Sequence, residues 1–341
     1  MMRALPFANL LPFAVLAIVS SCSPDEPIID NTVRSWRLLL VHANGSVADV
    51  SMPAGVSTSP TTLSSEGGVE ICRQYRDDIY AVMRDSSRII VLDARTMAER
   101  QRIELETEGP ATDIAFANAT TAYALHATTN AVSIIDLTVG RVVQRISVAN
   151  RPVSAAVLGN QIGVVCQGAE RLDIVDSRTN TVEASIPIPD APTFIDIDLV
   201  QDAFCVATLG AGRIDSRPAT TPKLHVVRVR DRSVLGTVDL TNREPDGPRQ
   251  RIGGLTIVPE QFAFVPVTTG MLRINPRTRA RATMIGFDEY HSIAYNAARN
   301  EILLLEADSL SVRVFDEFVD KERSSFRSTL PVRQMLALPP R

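Results

Sequence analysis

Eleven polar side chains of this 341-residue sequence follow apolar runs and have the types needed for binding or catalysis. Arginines form most of the set, together with three histidines, one aspartate and one tyrosine. A guanidinium is a planar fork of donors that suits carboxylates and phosphates, so one interpretation is recognition of an anion. In chain order the residues are His42, Arg84, His126, Arg151, Asp190, Arg213, Arg249, Arg251, Tyr290, His291 and Arg333.

The composition leaves that interpretation open. Only Lys223 and Lys321 are lysines, so 33 of the 35 basic residues are arginines. A compositional bias of the genome explains this excess as readily as anion binding does. The net charge of −4 offers no basic patch, so nucleic acid is not expected as a partner.

Few patterns indicate catalysis. The four histidines, His42, His126, His225 and His291, show no metal-ligand spacing, and no nucleophile elbow or phosphate-binding loop is present. We therefore predict no catalytic residue, no cofactor and no metal. Because three histidines could face one opening, a metal site built from several loops remains an alternative to simple packing.

The elements that position these residues repeat about every 43 residues. In each repeat an apolar strand runs into a polar anchor residue and then a turn, a period typical of repeat folds. An anchor carboxylate that accepts a backbone hydrogen bond two residues on would close a hairpin. The anchors are Asp49, Asp93, Asp136, Asp176, Arg228, Asn275 and Asp316, and Arg228 requires a different turn.

One repeat contains four short strand patterns, at 113–116, 122–126, 132–136 and 142–148. Seven such units predict an all-β, seven-bladed β-propeller with four-stranded antiparallel blades. The first unit lacks its first strand, and a spare strand lies at 332–338. We predict that this C-terminal strand completes the first blade and closes the ring, removing the exposed sheet edges.

In such a ring, the links between blades and the turns between second and third strands lie on one face around the central channel. The eleven polar residues should ring this mouth and bind a small ligand or a protein partner. Two long loops, 209–223 and 242–251, flank the fifth blade there. An insertion of this kind marks a binding face or is simply tolerated at the surface.

The segment 131–138, followed by Arg141-Val142-Val143 and 146–152, resembles the YVTN-repeat, YncE-like propeller family. The resemblance extends over about 36–338, although the YVTN tetrapeptide itself is absent. Some lipoproteins of this type capture cobalamin for an outer-membrane transporter, which implies nutrient capture here. Lactonase propellers have related repeats and imply the alternative of a hydrolase with its site at the mouth.

The N-terminus indicates export. Arg3 precedes an apolar stretch at 10–19 that is too short to span a bilayer, so 1–21 is predicted to be a signal peptide. Val19-Ser20-Ser21-Cys22 resembles a bacterial lipobox, which implies that Cys22 carries acyl chains such as palmitate. Residues 22–33 would be a flexible tether, and 34–341 a single propeller domain.

The lipid on Cys22 would make the membrane a partner of this chain. Ser23 beside Cys22 resembles outer-membrane sorting, which implies a lipid-anchored protein at the outer membrane, either periplasmic or displayed at the surface. The alternative is a plain signal peptide with an incidental cysteine. Cys72, Cys166 and Cys205 lie in apolar strand patterns and are predicted to be buried thiols, although one disulfide remains open.

Overall fold

The computed structural model describes residues 36–338 except 53, 64–66, 107–108, 211–219, 242–251, 260, 269, 286–288, 317 and 320. These residues form seven four-stranded antiparallel sheets in a ring. The predicted all-β, seven-bladed β-propeller is therefore confirmed. Within the described part of the chain, no helix has the length and apolar character needed to cross a membrane.

The strands are short and rich in valine and isoleucine, as expected for a pleated, half-buried surface. Blade one contains β1 (Trp36–His42), β2 (Val47–Met52) and β3 (Val56–Ser57), blade two contains β4 (Val69–Tyr75), β5 (Asp78–Met83), β6 (Arg88–Asp93) and β7 (Glu99–Glu104), and blade three contains β8 (Asp113–Asn118), β9 (Thr121–His126), β10 (Ala131–Asp136) and β11 (Arg141–Ser147). Blade four contains β12 (Pro152–Leu158), β13 (Gln161–Cys166), a 3-10 turn (Gln167–Ala169), β14 (Arg171–Asp176) and β15 (Thr181–Pro187), and blade five contains β16 (Pro192–Asp198), β17 (Ala203–Thr208), β18 (Lys223–Arg228) and β19 (Ser233–Asp239). Blade six contains β20 (Thr256–Ile257), β21 (Ala263–Val267), β22 (Gly270–Ile274) and β23 (Arg281–Ile285), and blade seven contains β24 (Tyr290–Asn296), β25 (Glu301–Glu306), β26 (Ser311–Asp316) and β27 (Glu322–Arg327), after which β28 (Val332–Leu338) returns to blade one.

The ring closes as predicted. Strand β28 pairs antiparallel with β1, with Leu38 opposite Ala337 and Leu40 opposite Met335, and it is the innermost strand of blade one. The Gln334 side chain then reaches blade two, where its amide accepts from the Cys72 N–H and donates to the Cys72 carbonyl, both at 2.8 Å. This amide continues the backbone hydrogen bonding from one inner strand to the next.

The hydrophobic core lies between blades. Seven clusters of buried apolar residues are present in the described part of the chain, one at each junction of neighbouring blades. At the closing junction, Trp36, Leu38 and Leu40 of blade one pack with Leu303 and Leu305 of blade seven. Because alternate residues of a strand point to opposite sides, each sheet supplies apolar side chains to both of its neighbours.

The two ends of the ring have distinct loops. The mouth face carries the links between blades and the second-to-third turns, such as 127–130. The opposite face, here called the turn face, carries the first-to-second and third-to-fourth turns, such as 199–202 and 137–140. All inner strands run from the mouth face to the turn face because each of them follows a link from the preceding blade.

Most anchor residues close the predicted hairpins. The Asp93 carboxylate accepts from the Arg95 N–H at 2.8 Å, and Asp136, Asp176 and Asn275 make the equivalent bond two residues on. Arg228 uses a different arrangement, as predicted, because its guanidinium donates to Asp231 at 2.8 Å.

Asp49 departs from the anchor pattern. It lies inside β2 rather than at its end, because the strand continues to Met52. Its carboxylate accepts from the guanidinium Nε of Arg37 at 3.0 Å, and both side chains are buried, 3% and 7% exposed. The same guanidinium donates to the carbonyls of Ala94 and Arg95 in blade two, at 2.6 and 2.9 Å. Asp49 is therefore half of a buried ion pair that joins two blades.

Cys72, Cys166 and Cys205 are buried free thiols, as predicted. Burial raises the pKa of Cys72 and of Cys166 to about 12, and that of Cys205 well above its usual value. In a protein with Cys22 replaced by Ser, we expect a thiol reagent to modify none of the three until denaturant is added, because the reactive thiolate is suppressed. Native labelling in a colorimetric thiol assay would contradict this burial.

Candidate functional site

The central channel contains two cavities in series. The upper cavity, at the mouth face, has a volume of about 480 Å³. The lower cavity, towards the turn face, has a volume of about 620 Å³. Both are lined mainly by residues of the inner strands, with contributions from the adjoining loops. The residues common to the two linings form the waist of the channel, and they are Arg73, Ile195, Leu255, Ile293 and Gln334.

An acidic side chain is clamped by two arginines beside the mouth. The Glu70 carboxylate accepts from Arg84 Nε at 3.1 Å and from Arg333 Nη1 at 2.8 Å. Burial alone would raise the pKa of Glu70, but the hydrogen bonds and charges of Arg333 and Arg84 hold it below its usual value. These contacts join the inner strands of blades one and two at the rim, so Arg333 has part of its charge neutralised.

Arg73 crosses from the inner strand of blade two to Asp113 of blade three. Its Nε and Nη2 atoms donate to the two carboxylate oxygens at 2.9 Å each, and Asp113 is only 1% exposed. Asp113 also accepts from the Ile114 N–H at 2.8 Å. The charge of Asp113, working against burial, raises the pKa of Arg73. The charges of Arg73 and Asp113 compensate each other, and the pair links the inner strands of blades two and three beside the channel waist.

Asp196 lines the lower cavity. Its carboxylate accepts from the backbone N–H groups of Ile197 at 2.8 Å and Ile257 at 2.7 Å. Burial nevertheless raises the pKa of Asp196 to about 6, although both hydrogen bonds and the charge of Arg73 work in the opposite direction. The carboxyl therefore takes up a proton in mildly acidic solution.

This raised pKa predicts a pH-dependent stability. An aspartate in the unfolded chain has a pKa of about 3.9, so between about pH 4 and 6 the folded protein carries a proton that the unfolded chain does not. The stabilisation of the folded state by this proton is complete below about pH 4 and is lost as the pH rises through about 6. Relative to wild type, the free energy of unfolding of Asp196→Asn should therefore increase by about 1–3 kcal/mol from pH 4 to pH 7, the range allowing for solvent in the channel.

Urea denaturation at both pH values measures this change. Asparagine has one acceptor oxygen fewer, and that cost should be similar at each pH. Asp77→Asn, at an exposed turn, provides the matched control for removing one carboxylate. An equal offset between wild type and Asp196→Asn at both pH values would show that Asp196 titrates as in the unfolded chain.

Among the described residues that line the upper cavity, Arg151 is the arginine that makes no ion pair. Its backbone adopts a left-handed conformation with φ of 57°, which costs energy for a residue other than glycine. Two hydrogen bonds hold this conformation: the Arg151 N–H donates to Asn130 at 2.8 Å, and its carbonyl accepts from the Gln167 N–H at 2.9 Å. The side chain is exposed, lines the upper cavity, and makes no ion pair with the described residues.

The other predicted site residues lie in several settings. His42 and His126 are buried at strand ends, with their Nδ1 atoms 3.3 and 3.2 Å from the carbonyls of Leu330 and Gly109. Burial lowers the pKa of His42.

His126 Nε2 also lies 2.9 Å from the Ser133 hydroxyl. Both histidines are therefore packed among their own blade's loops, and neither lines the two channel cavities.

Asp190 and Tyr290 also make contacts within the fold. The Asp190 carboxylate accepts from Lys223 Nζ at 3.0 Å, and the buried Tyr290 hydroxyl accepts from Arg313 at 3.3 Å. His291 is partly exposed, with Nε2 3.6 Å from Glu289. Arg213, Arg249, Arg251 and the predicted lipidation site Cys22 lie outside the described residues.

The structure thus brings Arg151 and Arg333 to the channel mouth, with Arg84 beside them through Glu70. Sequence reasoning overlooked Glu70, Arg73, Asp113, Asp196 and Gln334 of the inner strands. A signal was present, since acidic residues interrupt otherwise apolar first strands, as in Phe194-Ile195-Asp196-Ile197. Within the described ranges, no group of three or more His, Cys, Asp or Glu side chains could hold a metal ion.

Seven four-stranded blades around an axial channel define a seven-bladed β-propeller, and solved structures agree. Hydrazine synthase from Kuenenia stuttgartiensis matches with a TM-score of 0.59 at 12% identity, covering 81% of this chain and 96% of that chain. Apo AztD from Citrobacter koseri matches with 0.58 at 11%, covering 89% and 98%. The Cps50 (Swd1) propeller domain of Myceliophteria thermophila matches with 0.61 at 12%, covering 79% and 88%.

Identities this low show a common fold and nothing about function. No family model matches the sequence, and a comparison with curated proteins finds no match either. The class of protein is therefore set by the fold, and its activity has to be argued from the channel.

Proposed function

We propose that this chain is a lipid-anchored envelope protein that binds a small anionic ligand at the mouth of its propeller channel. The observation that carries the proposal is Arg151, an exposed cation without an ion-pair partner in the described residues, on the wall of a cavity of about 480 Å³. That volume lies within the range of small-molecule sites. A binding role also suits a rigid ring whose loops surround a single opening.

The charges at the mouth favour an anion. The charged residues that line the upper cavity are three arginines and two acids, so one positive charge is left over. Asp113 neutralises Arg73, and Glu70 is shared between Arg333 and Arg84. A carboxylate or phosphate group of a ligand would compensate the remaining charge of Arg151 by paired hydrogen bonds.

We further propose that the ligand is a nutrient such as cobalamin, captured for an outer-membrane transporter, because the repeats resemble those of the YVTN-like family. We propose an anchor at the outer membrane because Cys22 and Ser23 resemble a lipidation and sorting signal. Labelling of cells with a palmitate analogue tests the anchor: the wild-type protein should be labelled, and Cys22→Ser should not. A wild-type protein that stays unlabelled in the membrane-free fraction would contradict lipid anchoring.

We predict that a thermal-shift screen of corrinoids, haem, siderophores, anionic glycans and lactones identifies a ligand whose binding needs Arg151. At a ligand concentration one hundred times Kd, the stabilisation should be about 2.7 kcal/mol. Arg151→Ala should weaken binding about tenfold or more, because it removes a charge-assisted hydrogen bond. The matched control is Arg230→Ala, an exposed arginine on the turn face.

The outcomes of this screen are distinct. Equal affinities of wild type and Arg151→Ala would show that the mouth is not the site. A ligand without an anionic group would contradict the charge argument but not the site. Turnover of a lactone, with no shift from any nutrient, would replace the binding proposal by the lactonase-like alternative.

A further inference from the structure

Among the described residues, the exposed large apolar side chains are gathered at one end of the ring. Leu199, 64% exposed, and Val200 form the first-to-second turn of blade five, and Phe318, 41% exposed, lies in the third-to-fourth turn of blade seven. The remaining exposed large apolar residues are Val139 in a third-to-fourth turn and Val143 and Val234 near the starts of the outer strands β11 and β19. All six therefore lie on or next to the turn face, and the described mouth-face loops contribute none.

Cations accompany this apolar group. Arg230, Arg277 and Lys321 lie in third-to-fourth turns of blades five, six and seven, and all three are exposed. None has an acidic partner within the described part of the chain. Arg277 also lines a small cavity of about 80 Å³ together with Val200.

A cation connects the apolar residues of blades six and seven. The guanidinium of Arg273 lies 5.1 Å from the centre of the Phe262 ring and donates to the Phe318 carbonyl at 3.1 Å. This bond holds the turn that presents the Phe318 side chain to solvent. Exposed apolar tips beside long basic side chains are the combination found at lipid–water interfaces, where the cations reach anionic headgroups.

The chain also begins its first strand at this face. Trp36 pairs with Met52, and Arg37 pairs with Leu338, the last residue of the inner strand, so β1 starts at the turn face. Cys22 stands only fourteen positions before Trp36. An extended chain of that length reaches at most about 50 Å. A lipid on Cys22 would therefore tether the ring at its turn face, where the chain enters the first strand.

We infer that the turn face of blades five to seven, defined by Leu199, Val200, Phe318 and the cations Arg230, Arg277 and Lys321, rests on an anionic lipid surface. The inference rests on the proposed anchor at Cys22. Each basic residue near such a surface is attracted to the anionic headgroups, and the apolar tips add burial in the headgroup region. Docking in this orientation turns the channel mouth away from the membrane, where it is open to a ligand in the aqueous phase.

Tryptophan reporters test the orientation. The lipidated protein is purified from membranes and reconstituted into vesicles of phosphatidylethanolamine and phosphatidylglycerol, with and without brominated acyl chains. Leu199→Trp and Phe318→Trp should show blue-shifted emission and severalfold stronger quenching by the brominated lipid than the matched control Thr128→Trp on the mouth face. The native Trp36 is buried and contributes the same background to all three variants.

Equal quenching of all three reporters, or none at the turn face, would overturn the inference. So would a turn face that is unquenched but covered by a second copy of the chain, detected as a dimer by analytical ultracentrifugation. Replacement of Arg230, Arg277 and Lys321 by Gln should lower the quenching in phosphatidylglycerol vesicles and leave it unchanged in zwitterionic ones. Unchanged quenching in both would remove the anionic part of the inference.

A second preparation separates this inference from the proposed anchor. A protein beginning at Cys22 and made without its natural lipid can be coupled to a maleimide lipid in the vesicles, because the other three thiols are buried. If cells do not acylate Cys22, the proposed function fails, yet the reporters still show which face a tether at that position brings to the membrane. Quenching only at Thr128→Trp would then refute the orientation itself.

Discussion

Removal of the last ten residues, 332–341, should abolish cooperative folding. The deletion takes away β28, the inner strand of blade one, and exposes the edge of β1 along its length. It also removes Val332, Met335 and Leu338 from the core clusters. Burial of each such side chain contributes about 1.5–3 kcal/mol, so the sum is comparable to the whole stability of a domain.

Circular dichroism melts and size-exclusion chromatography measure this effect. The truncated protein should melt broadly or aggregate through its unpaired strand edge. The matched control removes only 339–341 and should melt like the wild type. Adding the peptide 332–338 in trans should restore part of the transition, since the strand would pair with β1. A truncated protein with an unchanged, cooperative transition would mean that the ring does not depend on its C-terminal strand.

Arg37→Ala should destabilise the fold by about 3–5 kcal/mol, the second-largest effect we predict. The substitution leaves the Asp49 carboxylate buried without its counter-charge, which is the main cost of breaking a buried ion pair. It also removes the donors to the carbonyls of Ala94 and Arg95, and so loosens the junction of blades one and two.

Urea denaturation of a set of variants separates these terms. The double replacement Arg37→Met with Asp49→Leu removes both charges and should cost less than Arg37→Ala, because no lone charge stays buried. The exposed pair of Arg102 and Glu99 supplies the matched control, and Arg102→Ala should cost less than about 1 kcal/mol. If Arg37→Ala costs no more than Arg102→Ala, the buried pair has no special weight in this fold.

The architecture could be predicted from the sequence because each blade repeats the same local signals. The apolar runs, the turn chemistry of Asp93, Asp136 and Asp176, and the missing first strand of the first unit all point to one ring. Asp49 was assigned wrongly to the anchor turns because an aspartate inside a strand and one at its end look the same in sequence. Its true partner, Arg37, lies on the neighbouring strand.

The candidate site was less predictable, for a physical reason. Whether a strand-end histidine such as His126 faces the mouth or packs inward depends on its neighbours in the folded ring, here Gly109 and Ser133. The pairing of Arg73 with Asp113 likewise joins residues 40 positions apart on different blades. Such contacts arise only when blades assemble. Arg151 was accessible to prediction because the link between blades places it at the rim.

The closing strand has a consequence for biogenesis. The pairing of Leu38 with Ala337 joins positions about 300 residues apart, which makes it one of the contacts with the greatest sequence separation in the ring. Contacts of such high order form late and carry a large loop-closure entropy. In the export proposed above, a chain threaded through a translocation channel from its N-terminus would not complete its first blade until its last residues had crossed. Such a delay would keep an exported precursor unfolded during translocation and dependent on protection from aggregation until then.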